Sequence, residues 1–131
     1  MSEQENSQLV QKAYDSFNAG DIQGLLSTLA DDVDWVLPQI PSVPFSGARQ
    51  GRDSVAAFFE IMAEHQEPKS FDVHGMIAQG DRVVAHGHYV WHVKSTGRDF
   101  EGDFAHIWTV EGGSITRIQE YTDTAAIAAC Y

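Results

Sequence analysis

The stretch from Asp81 to Asp123 limits the fold more than any other part of this 131-residue chain. It reads DRVVAHGHYVWHVKSTGRDFEGDFAHIWTVEGGSITRIQEYTD, three strand-like runs in series joined by two turns of Gly and small polar residues. Glu111-Gly112-Gly113-Ser114 suits a tight hairpin, because Gly takes positive φ without a steric penalty. The stretch holds four of the six histidines and two of the three tryptophans. A run of short-turned strands predicts antiparallel pairing and two chemically distinct faces.

Upstream, the spacing predicts a helix over about residues 8–19, with Ser7 as its N-cap and Gly20 at its end. Leu9, Val10, Ala13, Tyr14 and Phe17 form its apolar stripe. Asp21 caps a second, short helix that buries Leu25, Leu26 and Leu29 and stops at Asp31-Asp32. Val33, Trp35 and Leu37 alternate as a short strand. Residues 38–47, PQIPSVPFSG, carry three prolines and exclude a helix or a central strand. Ile40, Val43 and Phe45 suit either a stiff flap over a pocket mouth or a plain packed loop. Asp53 caps a third helix over about residues 54–66, with Val55, Phe58, Phe59 and Met62 buried, and Pro68 closes that segment. Phe71, Val73, Gly75 and Ile77 then alternate with Asp72, His74, Met76 and Ala78 as a further strand. The tail TAAIAACY predicts a short terminal helix. Helices first and antiparallel strands after them predict an α+β fold, a sheet covered on one face by helices. If strongly curved, such a sheet leaves a natural ligand site between its concave face and the helices.

A formal charge of −11 opposes binding to nucleic acid or to an anionic membrane, both of which need an excess of Lys and Arg. The lone Cys130 forms no intrachain disulfide and suits a reducing compartment. The polar start MSEQENSQ has no apolar signal core, and no run approaches the roughly 18 apolar residues of a membrane span. The expectation is one cytoplasmic domain over residues 1–131, with no repeat and no cofactor-binding motif.

Several landmarks occur in an ordered series: Ala19-Gly20-Asp21, Ala30-Asp31-Asp32-Val33-x-Trp35, Gly51-Arg52-Asp53, His106-x-Trp108, Gly113-Ser114-Ile115 and Glu120-Tyr121-x-Asp123. Their order resembles the SnoaL-like, ketosteroid-isomerase-related branch of the NTF2-like superfamily over nearly the whole chain. The resemblance implies a cone-shaped, curved mixed or antiparallel sheet wrapped around helices, commonly dimeric through the outer sheet face. It does not carry an activity, since such cones host isomerases, cyclases, hydrolases, dehydratases and binding modules.

The resemblance also says which strand face looks inward. Val33, Trp35 and Leu37, then Ala85, Gly87, Tyr89 and Trp91, then Phe104, His106 and Trp108, then Ile118 and Glu120 form the inner set. With Phe17 of the first helix, the expected ligand-binding walls are Trp35, Tyr89, Trp91, Phe104, Trp108 and Ile118. An aromatic cavity with few polar groups suits a small hydrophobic, ring-containing molecule. Glu120 matches the acidic position of related cyclases and epoxide hydrolases, and His106 the oxyanion-donor position of ketosteroid isomerases. Both are candidate catalytic residues, Glu120 as acid/base and His106 as hydrogen-bond donor, and a direct bond between them is expected across adjacent strands. The alternative is a satisfied core bridge in a non-enzymatic binding or assembly module.

Known activities do not transfer intact. The isomerase base falls at Leu37, its helix-one Tyr at Ala13 with Tyr14 on a different side, and the Arg-x-Asp of the epoxide hydrolases at Gly87 and Tyr89. His86, His88 and His92 are expected together on the outer face, as a dimer interface or solvated surface rather than a metal site.

Overall fold

The computed structural model describes residues 2–131. The elements run α1 (Glu3–Asn18), α2 (Ile22–Leu26), β1 (Leu29–Val36), β2 (Ala48–Gln50), α3 (Arg52–His65), β3 (Gln66–Gln79), β4 (Arg82–Val93), β5 (Arg98–Glu111), β6 (Ser114–Thr122) and α4 (Thr124–Ala128). The six strands form one curved, unclosed sheet in the order β2-β1-β6-β5-β4-β3. Every pairing is antiparallel except β1 with β6, so the sheet is mixed. The α+β expectation and the three-strand meander both hold.

Helix α1 starts earlier than expected. Ser2 Oγ accepts the Glu5 N–H at 3.0 Å while the Glu5 carboxylate accepts the Ser2 N–H at 3.1 Å, a capping box that places Ser7 inside the helix. The extra turn docks on the β3–β4 turn, where Asn6 Nδ2 donates to the Gly80 carbonyl and Gly80 N–H donates to Glu3. Asp21 does cap α2, but Leu29 and Asp31-Asp32 belong to β1. Helix α3 is capped by Gly51 at φ 89°, not by Asp53. Its first residue, Arg52, donates to the Leu29 carbonyl and pairs with Asp31, tying the helix start to β1.

Two irregularities shape β3, an edge strand. Pro68 lies inside it rather than before it, beside a register shift against β4, which an edge tolerates because no neighbour needs the missing N–H. A second shift between Val73 and Gly75 reverses the alternation. Met76 and Ala78 thereby pack against the core, and Ile77, which the regular alternation groups with Phe71 and Val73, is 68% exposed.

The inner face of β4 buries Val83, Ala85, Tyr89, Trp91 and Val93 in strict alternation. Gly87 completes that row because nothing larger fits: a Cβ there would stand 1.9 Å from the Asp72 carbonyl oxygen. Helix α1 lies across β3, β4 and β6, and α3 across β1, β2 and β3. No helix among the described residues is long and apolar enough to cross a membrane.

Candidate functional site

Between the concave sheet face, α1, α3 and the 37–47 segment lies a cavity of about 110 Å³. A single water needs roughly 10–15 Å³ measured the same way, so the aromatics do not fill this space themselves. Trp35, Tyr89, Trp91, Trp108, Ile118 and Phe17 line it, as expected. Phe104 does not. It pairs with Gly87 in register, and its ring occupies the space over that glycine, stacked 4.5 Å from the His106 ring. Phe104 is therefore a buried support behind the wall.

The 38–47 segment is packed and also borders the cavity, joining the two readings of it. Ile40, Val43 and Phe45 are buried and line the space. Ser46 Oγ holds the loop closed, accepting from Ile40 N–H at 3.0 Å and lying 2.8 Å from the carbonyls of both Ile40 and Val43.

The polar end of the cavity is built from three elements. His106 and Glu120 face each other across β5 and β6, and His106 Nε2 lies 2.7 Å from Glu120 Oε2. Tyr14 of α1 completes the cluster, its hydroxyl 2.6 Å from His106 Nδ1. The Trp108 indole N–H donates to the same hydroxyl oxygen at 3.0 Å. Indole nitrogen is a donor only, so the Tyr14 oxygen is the acceptor in its bond with Trp108. Burial pushes the Tyr14 phenol well above its ordinary range, opposed by the Trp108 N–H and reinforced by the Glu120 charge. The second carboxylate oxygen, Glu120 Oε1, accepts no bond among the described residues, and Glu120 borders the cavity with its side chain 13% exposed.

Tyr14 corrects the sequence reading, which set it on a different side from Ala13. Both residues line the cavity, because Val10, Ala13, Tyr14 and Phe17 follow the i, i+3, i+4, i+7 spacing of one helix face. The apolar stripe already carried that signal. Leu37 also lines the cavity and has no proton to exchange. The Trp35 indole N–H is buried without a partner among the described residues.

On the outer face, His88 sits between two carboxylates, Nδ1 at 2.8 Å from Asp103 and Nε2 at 3.1 Å from Glu101. Those bonds hold the His88 imidazole above its ordinary pKa. His92 Nδ1 meets Asp99 at 2.7 Å, and the rings of His86 and His74 lie 6.5 Å apart. No group of three metal-ligating side chains gathers among the described residues. Asp123 caps α4 through the Ala126 N–H at 3.0 Å, and Tyr121 is exposed.

Comparison with known proteins agrees with the fold. The profile of the SnoaL-like domain matches residues 10–118. An NTF2-like protein from Burkholderia xenovorans LB400 is similar at 36% identity with a TM-score of 0.89, covering 99% of this chain and 98% of that one. A candidate polyketide cyclase from Xanthomonas campestris pv. campestris is 27% identical at a TM-score of 0.85, with 98% of each chain covered. TerC, co-crystallised with polyporic acid, is 27% identical at a TM-score of 0.81, covering 96% of this chain and 97% of that one. None of the curated proteins compared matches the chain. With the profile spanning most of its length and a close structural relative over nearly all of it, the chain belongs to the SnoaL-like domain family within the NTF2-like fold.

Proposed function

We propose that this protein binds a small, ring-containing hydrophobic molecule in the cone cavity and moves a proton within it. The observation that carries this reading is Glu120 itself, which borders an apolar cavity with Oε2 held by His106 and Oε1 accepting no bond among the described residues. A carboxylate so oriented takes a proton from the carbon beside a ligand carbonyl, leaving an enolate and a neutral Glu120. Return of that proton to another atom of the same ligand gives an isomer or closes a ring. Bonds shift only inside the ligand, and no oxidant or reductant is consumed. His106 and Tyr14 orient the base, and the aromatic walls exclude water, which strengthens these interactions. The TerC complex with polyporic acid and the cyclase naming of the Xanthomonas relative support the ligand class.

A second reading has its own support. Both ring nitrogens of His106 are satisfied inside the protein, as in a purely structural bridge. On that reading the cone binds a ligand and does no chemistry on it.

One experiment separates the two. In D₂O, ring ketones such as 2-tetralone are followed by NMR for loss of the protons beside the carbonyl. Proton transfer by Glu120 predicts accelerated exchange that falls by about a hundredfold or more in Glu120→Gln. Saturable binding with no acceleration in the wild type leaves the binding-module reading in its place.

A further inference from the structure

The cavity has a second polar group that the proton-transfer chemistry does not use. Gln66, the first residue of β3, borders the cavity and is only 6% exposed. Its Oε1 accepts the Tyr131 hydroxyl at 2.5 Å. Burial pushes the Tyr131 phenol up to about 12, so at neutral pH it keeps the proton it donates. That bond commits the amide oxygen and turns the NH₂ group the other way. Gln66 Nε2 donates to no atom among the described residues, yet it is not sealed from free space as the Trp35 indole N–H is.

The position of Gln66 is as informative as its free donor. It pairs with Val93 on β4, whereas His106 lies opposite Ala85 on the same strand. Those rows are eight residues apart, about 26 Å of strand and less in a straight line through a curved sheet. Phe71, Tyr89, Trp91 and Phe100 supply the apolar wall between them. The cavity is thus amphipathic along its length, with an acceptor, Glu120 Oε1, at one end and a donor at the other.

We propose that Gln66 is a second anchor that hydrogen-bonds an oxygen at the far end of the ligand, so that the protein selects ring molecules oxygenated at both ends. The inference rests on the cavity being the binding site, and it adds a specificity residue separate from Glu120, with Tyr131 as the residue that positions it.

The test compares matched ligands by calorimetry or tryptophan fluorescence: 4-hydroxybiphenyl against 4,4′-dihydroxybiphenyl, and 2-naphthol against 2,6-dihydroxynaphthalene. The wild type is expected to bind the diol of at least one pair about fivefold more tightly, as one added neutral hydrogen bond allows. Gln66→Met is expected to remove that preference, so that the diol and the mono-ol of the pair bind alike. If Gln66→Met does not fold, ¹⁵N-labelled wild type gives the same answer, because the Gln66 side-chain amide should shift with the diol and not with the mono-ol. Equal affinities in both wild-type pairs, or a preference that survives in Gln66→Met, overturn the role of Gln66 alone. Failure of all four compounds to bind overturns the cavity as a ring-molecule site and this inference with it.

Discussion

Tyr14 is the residue on which the polar cluster depends, because it is the only member touching both His106 and Trp108. Tyr14→Phe keeps the ring and its edge contact with Trp108 but removes one acceptor and one donor. The Trp108 indole N–H is then buried without a partner and His106 Nδ1 loses its own. The expected cost is about 2 kcal/mol, read from urea unfolding with an unchanged m-value. No change in midpoint would mean that the phenol hydroxyl contributes nothing net. Glu120 differs in kind, since one of its oxygens is uncommitted and its replacement by Gln should alter chemistry more than stability.

Among the elements, β3 and β4 are coupled by a close backbone approach. Gly87 lets the Asp72 carbonyl and the Phe104 ring come together where any side chain would collide with both. Gly87→Ala is expected to destabilise the fold by about 3 kcal/mol or more, because the obstacle on one side is backbone and cannot swing away. A thermal midpoint within a degree of wild type would show that β3 shifts outward freely, as an edge strand with two register shifts could. The 38–47 loop makes the opposite use of restricted residues. Its prolines exclude regular structure, and one serine hydroxyl then gathers the backbone into the cavity wall.

At the scale of the whole molecule, the acidic surface gives the outer-face histidines their behaviour. Asp103 and Glu101 raise the His88 pKa in the folded state above the 6.5 of an isolated imidazole. Its stabilising contribution is therefore fully present below about pH 6.5 and is lost as pH rises through the raised folded value. The exposed setting keeps the effect small. His88→Gln is expected to lower the melting temperature more at pH 5.5 than at pH 8.5. A larger deficit at pH 8.5 would contradict the assignment of those carboxylates as the cause. Asp99 runs the other way: Lys69 and His92 hold its pKa down, so its contribution is lost only in acid.

What the sequence determined by itself was whatever depends on neighbours along the chain. Period-two alternation sorted the residues of β4, β5 and β6 into two faces, the family resemblance said which face looks inward, and the Gly-Gly turn set the hairpin that puts His106 opposite Glu120. The same local rules located α2, α4 and the apolar stripe of α1. Tertiary structure decided the rest, because it turns on contacts between distant segments. The meeting of Tyr14 with His106 spans 92 positions, and the lock of Tyr131 on Gln66 spans 65. The bulge in β3 reversed an alternation that looked regular, and the ring of Phe104 left the cavity wall because Gly87, on the next strand, offered it a space. Alternation assigns a residue to a face; only packing against the opposite layer decides whether its side chain fills space or borders it.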